Sequence, residues 1–122
     1  MDDRAKLGKA GEDHAERFLR RLGYRIVTRN YRSATGEIDL VALDTHVIVF
    51  VEVKTRVGRV HADPQDAVTP AKQRHIARTA QCFLRQTGSQ GRACRFDVVA
   101  ITVDEQNAMH VEHLPGAFTV DP

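Results

Sequence analysis

The sequence predicts an α/β fold with one mixed β-sheet and elements in the order α-β-β-β-α-β-β. Three observations predict it. Val47 to Lys54 alternates Val47, Val49, Val51 and Val53 with Ile48 and Phe50, so the strand is apolar on both faces and belongs in the middle of a sheet. Apolar residues recur at helical spacing from Leu7 to Leu22 and again after Thr69-Pro70. A further strand-like run, Phe96-Asp97-Val98-Val99-Ala100-Ile101, follows the second helix, which therefore packs against a sheet of mixed direction.

The elements follow in order. Leu7, Gly11, Ala15, Phe18, Leu19 and Leu22 fall on one helical stripe, and Gly23 stands where a C-terminal cap is expected. Tyr24 to Arg32 reads as a strand with Tyr24, Ile26, Thr28, Asn30 and Arg32 on one side. Ser33-Ala34-Thr35-Gly36 is a turn. Glu37 to Leu43 and Val47 to Lys54 are strands joined through Asp44-Thr45-His46, and residues 55–68 read as a polar loop. Thr69 supplies an N-cap and Pro70 the first helical position of a helix that Gly88 stops near Thr87; its apolar stripe is Ile76, Ala80, Phe83 and Leu84. Arg92 to Val103 is a strand, and Met109 to Leu114 adds one at the edge.

A chain of 122 residues, 42% hydrophobic and 28% charged, is one domain long and can bury one core without a staple. No basic n-region with an apolar h-region opens the chain, and no apolar run reaches the ~18 residues of a membrane span. Cys82 and Cys94 have no Cys-x-x-Cys spacing and read as buried free thiols, which fits a reducing cytoplasm. Charge is uneven. Residues 17–32 hold six arginines and no acid, residues 54–95 hold nine Lys or Arg against two Asp, and residues 97–122 hold five acids and no Lys or Arg. Such polarity points to a basic surface for a polyanion, with Arg25, Arg29, Arg32, Arg56 and Arg74 expected along a cleft.

The chemistry-bearing residues lie on the two middle strands. Alternation puts Glu37 and Asp39 on one face of their strand, and Glu52 and Lys54 on one face of theirs. An even number of linking residues sets Asp39 opposite or diagonal to Glu52, whereas an odd number separates them. The apolar pattern permits the first arrangement, with Asp39 and Glu52 on the same side. Three carboxylates and an ammonium then meet at the end of a buried strand pair, where like charges repel unless a cation offsets them. Carboxylate oxygens are the ligands Mg²⁺ takes, and an ammonium beside it can orient or deprotonate water. A Glu-x-Lys on a strand is commonly only a solvated pair. Here the strand is too apolar for an edge, and a second acidic pair precedes it by a hairpin length.

Asp39 followed by Glu52-Val53-Lys54 resembles the PD-(D/E)XK nuclease superfamily. Lys6 to about Leu84 is similar to the YraN family, endonuclease-like relatives of archaeal Holliday junction resolvases. The matching words are Gly8-Lys9-Ala10-Gly11-Glu12, Asn30-Tyr31-Arg32, Gly36-Glu37-Ile38-Asp39-Leu40, Phe50-Val51-Glu52-Val53-Lys54-Thr55-Arg56 and Ala67-Val68-Thr69-Pro70-Ala71-Lys72-Gln73. The resemblance implies a restriction-endonuclease-like core over a single domain, residues 1–122. It implies a Mg²⁺ site, with Mn²⁺ as substitute, formed by Asp39, Glu52, the Val53 carbonyl and Glu12, the last matching a first-helix glutamate about 90° from the apolar stripe. Lys54 would serve the attacking water, with Glu37 and Gln73 as further catalytic candidates. Two departures stand out. Ala77 occupies the place where relatives carry a lysine four residues after the glutamine, so Lys72 could replace it only by a different reach; and Ile38, not proline, precedes Asp39.

The implied activity is metal-dependent endonucleolytic hydrolysis of phosphodiesters, of branched DNA in the first place. The implied partners are nucleic acid, DNA above all, and a second copy of the chain, with no membrane. The alternative is a non-catalytic nucleic-acid-binding or adaptor protein that retains the fold. Other chemistries lack support. The six histidines make no zinc spacing, Ser33 and Ser89 have no catalytic partner nearby, and Gly8 and Gly11 open a helix and cradle no phosphate. Arg74, Arg78 and Arg85 share the solvent face of the second helix.

Overall fold

In the computed structural model, which describes residues 3–58 and 68–119, the chain runs α1 (Asp3–Arg21), β1 (Arg25–Ser33), β2 (Gly36–Asp44), β3 (Val47–Val57), α2 (Pro70–Gln86), β4 (Cys94–Val103) and β5 (Met109–Phe118). The order is the one expected and is consistent with a nuclease-like core. One five-stranded sheet has spatial order β1-β2-β3-β4-β5, antiparallel throughout except for the parallel β3–β4 pair. Parallel neighbours need a crossover connection, and α2 lies in it. Because β3 is paired on both sides and covered on both faces, it can be apolar all round.

The two faces hold separate cores. Ile48, Phe50, Val41 and Val98 pack beneath Ile76, Ala80 and Phe83 of α2. Val49, Val51, Leu40, Val99 and Ile101 pack beneath Ala15 and Leu19 of α1. Of the predicted stripes, Gly11, Ala15 and Leu19 of α1 and Ile76, Ala80 and Phe83 of α2 are buried, Leu7, Phe18 and Leu84 are half-buried, and Leu22, beyond the last turn of α1, is 51% exposed. Thr69 caps α2 as predicted, its Oγ1 accepting from the Lys72 amide at 3.2 Å.

Several boundaries differ from those read in the sequence. β3 does not stop at Lys54; Thr55, Arg56 and Val57 continue the parallel ladder against Ile101, Thr102 and Val103. Of the expected loop, residues 59–67 lie outside the described residues, and Val68 is buried in the α2-side core. β5 runs on to Phe118. The cysteines are free but not buried: Cys94 is exposed at the start of β4 and Cys82 half-buried on α2. The strict alternation expected of β1 fails because its register slips between Ile26 and Thr28 and because Asn30 takes a left-handed φ of 53°. The register of β1 sets Asn30 beside Asp39, and there β2 is irregular too: Ile38 belongs to the α2-side core and Leu40, two residues on, to the α1-side core.

The turn between β2 and β3 decides the site. Asp44 is still strand, paired with Val47, so the link is Thr45-His46 alone, with Thr45 at φ 56°. Two residues is an even number, and it fixes Leu40 opposite Val51. One step further along that register, Asp39 faces Glu52.

Candidate active site

The β2–β3 ladder ends at Leu40 and Val51. Immediately beyond it the backbone amide of Val53 donates to Asp39 Oδ2 at 2.8 Å, so a side chain takes the place of a ladder acceptor. Asp39, Glu52, Glu37, Thr35, Gly36, Lys72, His75 and Ile76 line one cleft between this strand end and the first turns of α2. Glu52 is buried, with its side chain 8% exposed, because it points to the α2 face alongside Ile48 and Phe50.

Charge within the cleft is unequal. Glu52 Oε1 lies 2.7 Å from Lys72 Nζ and 3.9 Å from Lys54 Nζ. Asp39 is bonded by the neutral Val53 amide. Burial, then the adjacent Glu52 charge and more weakly Glu12, push the Asp39 carboxyl up to about 7, against the pull of the Val53 hydrogen bond. The Lys72 ammonium, then burial, push Lys54 below the usual lysine range, and Glu52 and Asp39 counter this only in part. Lys72 is moved the other way: burial lowers its pKa, yet its bonds to Glu52 and Lys54 carry it above the usual range.

The other predicted site residues surround this centre. Glu12 lines the next cleft together with Val53 and Lys54, close enough for its charge to act on Asp39. Gly11 sets α1 at that distance: a Cβ there would stand 1.9 Å from Thr55 Oγ1, so only glycine lets the helix lie so close to β3. The Glu12 carboxylate is held by Arg29 at 3.3 Å, and Glu37 by Arg32 at 3.6 Å. Of the three carboxylates expected at the strand end, Asp39 and Glu52 adjoin, while Glu37 lines the same cleft and is drawn toward Arg32. Among the described residues no three His, Cys, Asp or Glu side chains converge as a metal cage. The pair nonetheless suits Mg²⁺, which binds through one or two carboxylates and fills its other positions with water and substrate phosphate. Asp39 is raised chiefly by burial and next by the Glu52 charge, whereas Glu52 itself is met by Lys72 and Lys54.

Gln73 does not face the cleft with its amide; Nε2 donates to the Val68 carbonyl at 3.1 Å and ties the entrance of α2. Lys72, whose reach the sequence left open, is the α2 residue that meets Glu52. A signal for this was present: the Thr69 cap and Pro70 place Lys72 in the first turn, where side chains lean back toward the helix N-terminus. Of the arginines expected along a cleft, Arg29 is consumed by Asp13 at 2.7 Å, Glu12 at 3.3 Å and Glu16 at 3.7 Å. Arg32 and Arg74 are exposed, and Arg78 and Arg85 stand on the solvent face of α2 as predicted.

One polar cluster escaped the sequence reading. Asp97 is fully buried on the α1 face of β4, where its carboxylate accepts from Arg95 Nε at 2.9 Å and the Gly116 amide at 2.9 Å and pairs with His113 Nε2 at 2.8 Å. Burial pushes its pKa up, but the bonds from His113, Arg95 and Gly116 outweigh it and hold the carboxyl below its usual range. Arg95 also donates to Asp44 at 2.9 Å and to the Tyr24 hydroxyl. This cluster joins β5, β4, the β2 end and Tyr24 just before β1, and none of its members lines the cleft. Its signals were Asp97 in an apolar strand and Arg95 two residues before it on the same face.

Comparison with known proteins adds kinship without activity. The model of the uncharacterised protein family UPF0102 matches residues 11–101. A UPF0102 protein of Symbiobacterium thermophilum is 48% identical over 113 residues, covering 93% of this chain and 96% of its own. Another, of Syntrophotalea carbinolica, is 48% identical over 118 residues, covering 97% and 95%. A third, of Geobacter sulfurreducens, is 48% identical over 112 residues, covering 92% and 88%. No helix among the described residues is long and apolar enough to cross a membrane.

Proposed function

The chain belongs to the uncharacterised protein family UPF0102, and from the geometry of its cleft we propose that it is a Mg²⁺-dependent, endonuclease-like enzyme that binds nucleic acid, DNA above all, and hydrolyses internal phosphodiesters. The observation that carries the reading is the adjoining pair Asp39 and Glu52 at an opened strand end, with Lys54 and Lys72 around Glu52. A structural domain gains nothing from burying like charges side by side.

Asp39 and Glu52 would hold the cation, with the Val53 carbonyl and Glu12 next to them. The cation would supply positive charge against the phosphate and make water easier to ionise. The chain's own part is carried by Lys54. Its lowered pKa gives the amine a larger neutral fraction, so it can take a proton from water as the water oxygen bonds to phosphorus. The P–O bond opposite the incoming oxygen breaks, and the leaving oxygen takes a proton from solvent. Lys72 keeps positive charge beside the reacting phosphate. Gln73, through the Val68 carbonyl, fixes the turn that carries Lys72. Exposed Arg32 and Arg74 would meet phosphates on either side.

The test is cleavage of a panel of branched, flapped, single-stranded and duplex substrates with Mg²⁺ or Mn²⁺. Metal-dependent cleavage abolished by chelator is expected. Binding without cleavage of any substrate would favour the second reading, a nucleic-acid-binding adaptor. The observation on that side is that Glu52 already has its counter-ions within the chain.

A further inference from the structure

We infer that Lys72 is a latch on the Glu52 carboxylate, a resident counter-ion that a divalent cation must displace before Glu52 can become its ligand. The inference rests on the proposed metal site. Lys72 Nζ lies 2.7 Å from Glu52 Oε1, while Lys54 stands 3.9 Å from the same oxygen, so Lys72 is the closer competitor for it. The carboxylate is deep, 8% exposed, but the Lys72 side chain is 39% exposed and enters from the rim. It can leave along the path by which it came, toward solvent, without disturbing the core. Its backbone stays fixed, with the amide bonded to Thr69 Oγ1 at 3.2 Å, so a released ammonium remains tethered beside the cleft.

Charge counting gives the same result. Asp39 and Glu52 against Lys54 and Lys72 sum formally to zero. A divalent cation added to that set leaves two excess positive charges within a few ångströms, and the group best able to move away is Lys72. Metal binding is therefore weakened by the energy of the Lys72–Glu52 pair and coupled to the position of the α2 rim. A substrate phosphate offers the displaced ammonium a new partner, so metal and nucleic acid should bind cooperatively.

The test is titration of the full chain with Mn²⁺, followed by the loss of the free-ion paramagnetic signal, in the absence of nucleic acid. Lys72→Gln should bind Mn²⁺ roughly tenfold more tightly than wild type, on the scale by which outer partners alter metal sites. Lys72→Arg, which keeps the charge, should stay near wild type. Measurable binding that is equal in all three proteins, or weaker in Lys72→Gln, would overturn the latch while leaving the metal site standing. No binding in any of them would overturn both. A second measurement needs no variant: in wild type, the ammonium protons of Lys72 should exchange slowly without metal and lose that protection at saturating Mg²⁺. Protection unchanged by bound metal would likewise overturn the latch.

Discussion

Asp39 Oδ2 accepts a hydrogen bond from the Val53 amide at 2.8 Å, just past the last β2–β3 pair. One bond thus anchors a carboxylate that burial and Glu52 otherwise drive toward its neutral form. A group raised from 3.8 to about 7 holds a proton in the folded chain that the unfolded chain has lost. Its penalty is absent below about pH 4, grows as pH rises and is complete above about pH 7. Asp39→Asn, which can still accept from Val53, should therefore stabilise the metal-free protein by on the order of 2–4 kcal/mol at pH 8 and by little at pH 4. Denaturant melts at the two pH values check the difference; equal gains at both would contradict it.

The fold was legible in the sequence where one physical signal acts alone. Helical stripes, the Thr69-Pro70 start and the doubly apolar β3 required no knowledge of neighbours. Asp39 and Glu52 could be placed on a common face only as one of two alternatives, because the outcome turned on whether Asp44 ended β2 or belonged to the turn. That choice is made by ladder pairing across strands. The Asp97 cluster was invisible for a related reason: His113 and Gly116 lie on β5 and reach Asp97 only when β5 docks on β4. Lys72 was half visible, since capping fixed its turn but not the carboxylate within its reach.

Breaking the Asp97 cluster should cost stability and leave the cleft chemistry intact. Asp97→Asn keeps the shape but removes the buried charge that Arg95 and His113 face, leaving Arg95 with Asp44, for a loss of roughly 1–3 kcal/mol by chemical denaturation. The lowered Asp97 pKa makes its contribution present above about pH 4 and progressively lost in more acid solution. A variant as stable as wild type at pH 7 would refute this account of the cluster.

Gly11→Ala would normally favour a helix by about 1 kcal/mol. Here the added Cβ meets Thr55 Oγ1, so α1 must lift from β3 and stability should fall by roughly 1–3 kcal/mol. Adding Thr55→Ala should recover part of that loss, and a double-mutant cycle measures the coupling. Additive effects would mean that the contact does not set the helix position.

Nucleic-acid affinity should separate arginines of the same strand. Arg32→Ala, at an exposed side chain, should weaken binding across sequences and lower the logarithmic salt slope by about 1. Arg29→Ala should leave that slope unchanged and instead destabilise the fold, because its guanidinium is already paired with Asp13 and Glu12. Fluorescence anisotropy over a salt series distinguishes the two.

The most direct test of the central claim is turnover of wild type and Lys54→Ala on the same substrate, with nucleic-acid and Mg²⁺ affinity measured alongside. A metal-dependent nuclease predicts that both affinities survive in Lys54→Ala while the single-turnover rate falls at least ~10²-fold, the scale of a lost general base. Equal cleavage by both proteins, or none by either at saturating nucleic acid and metal, would contradict it.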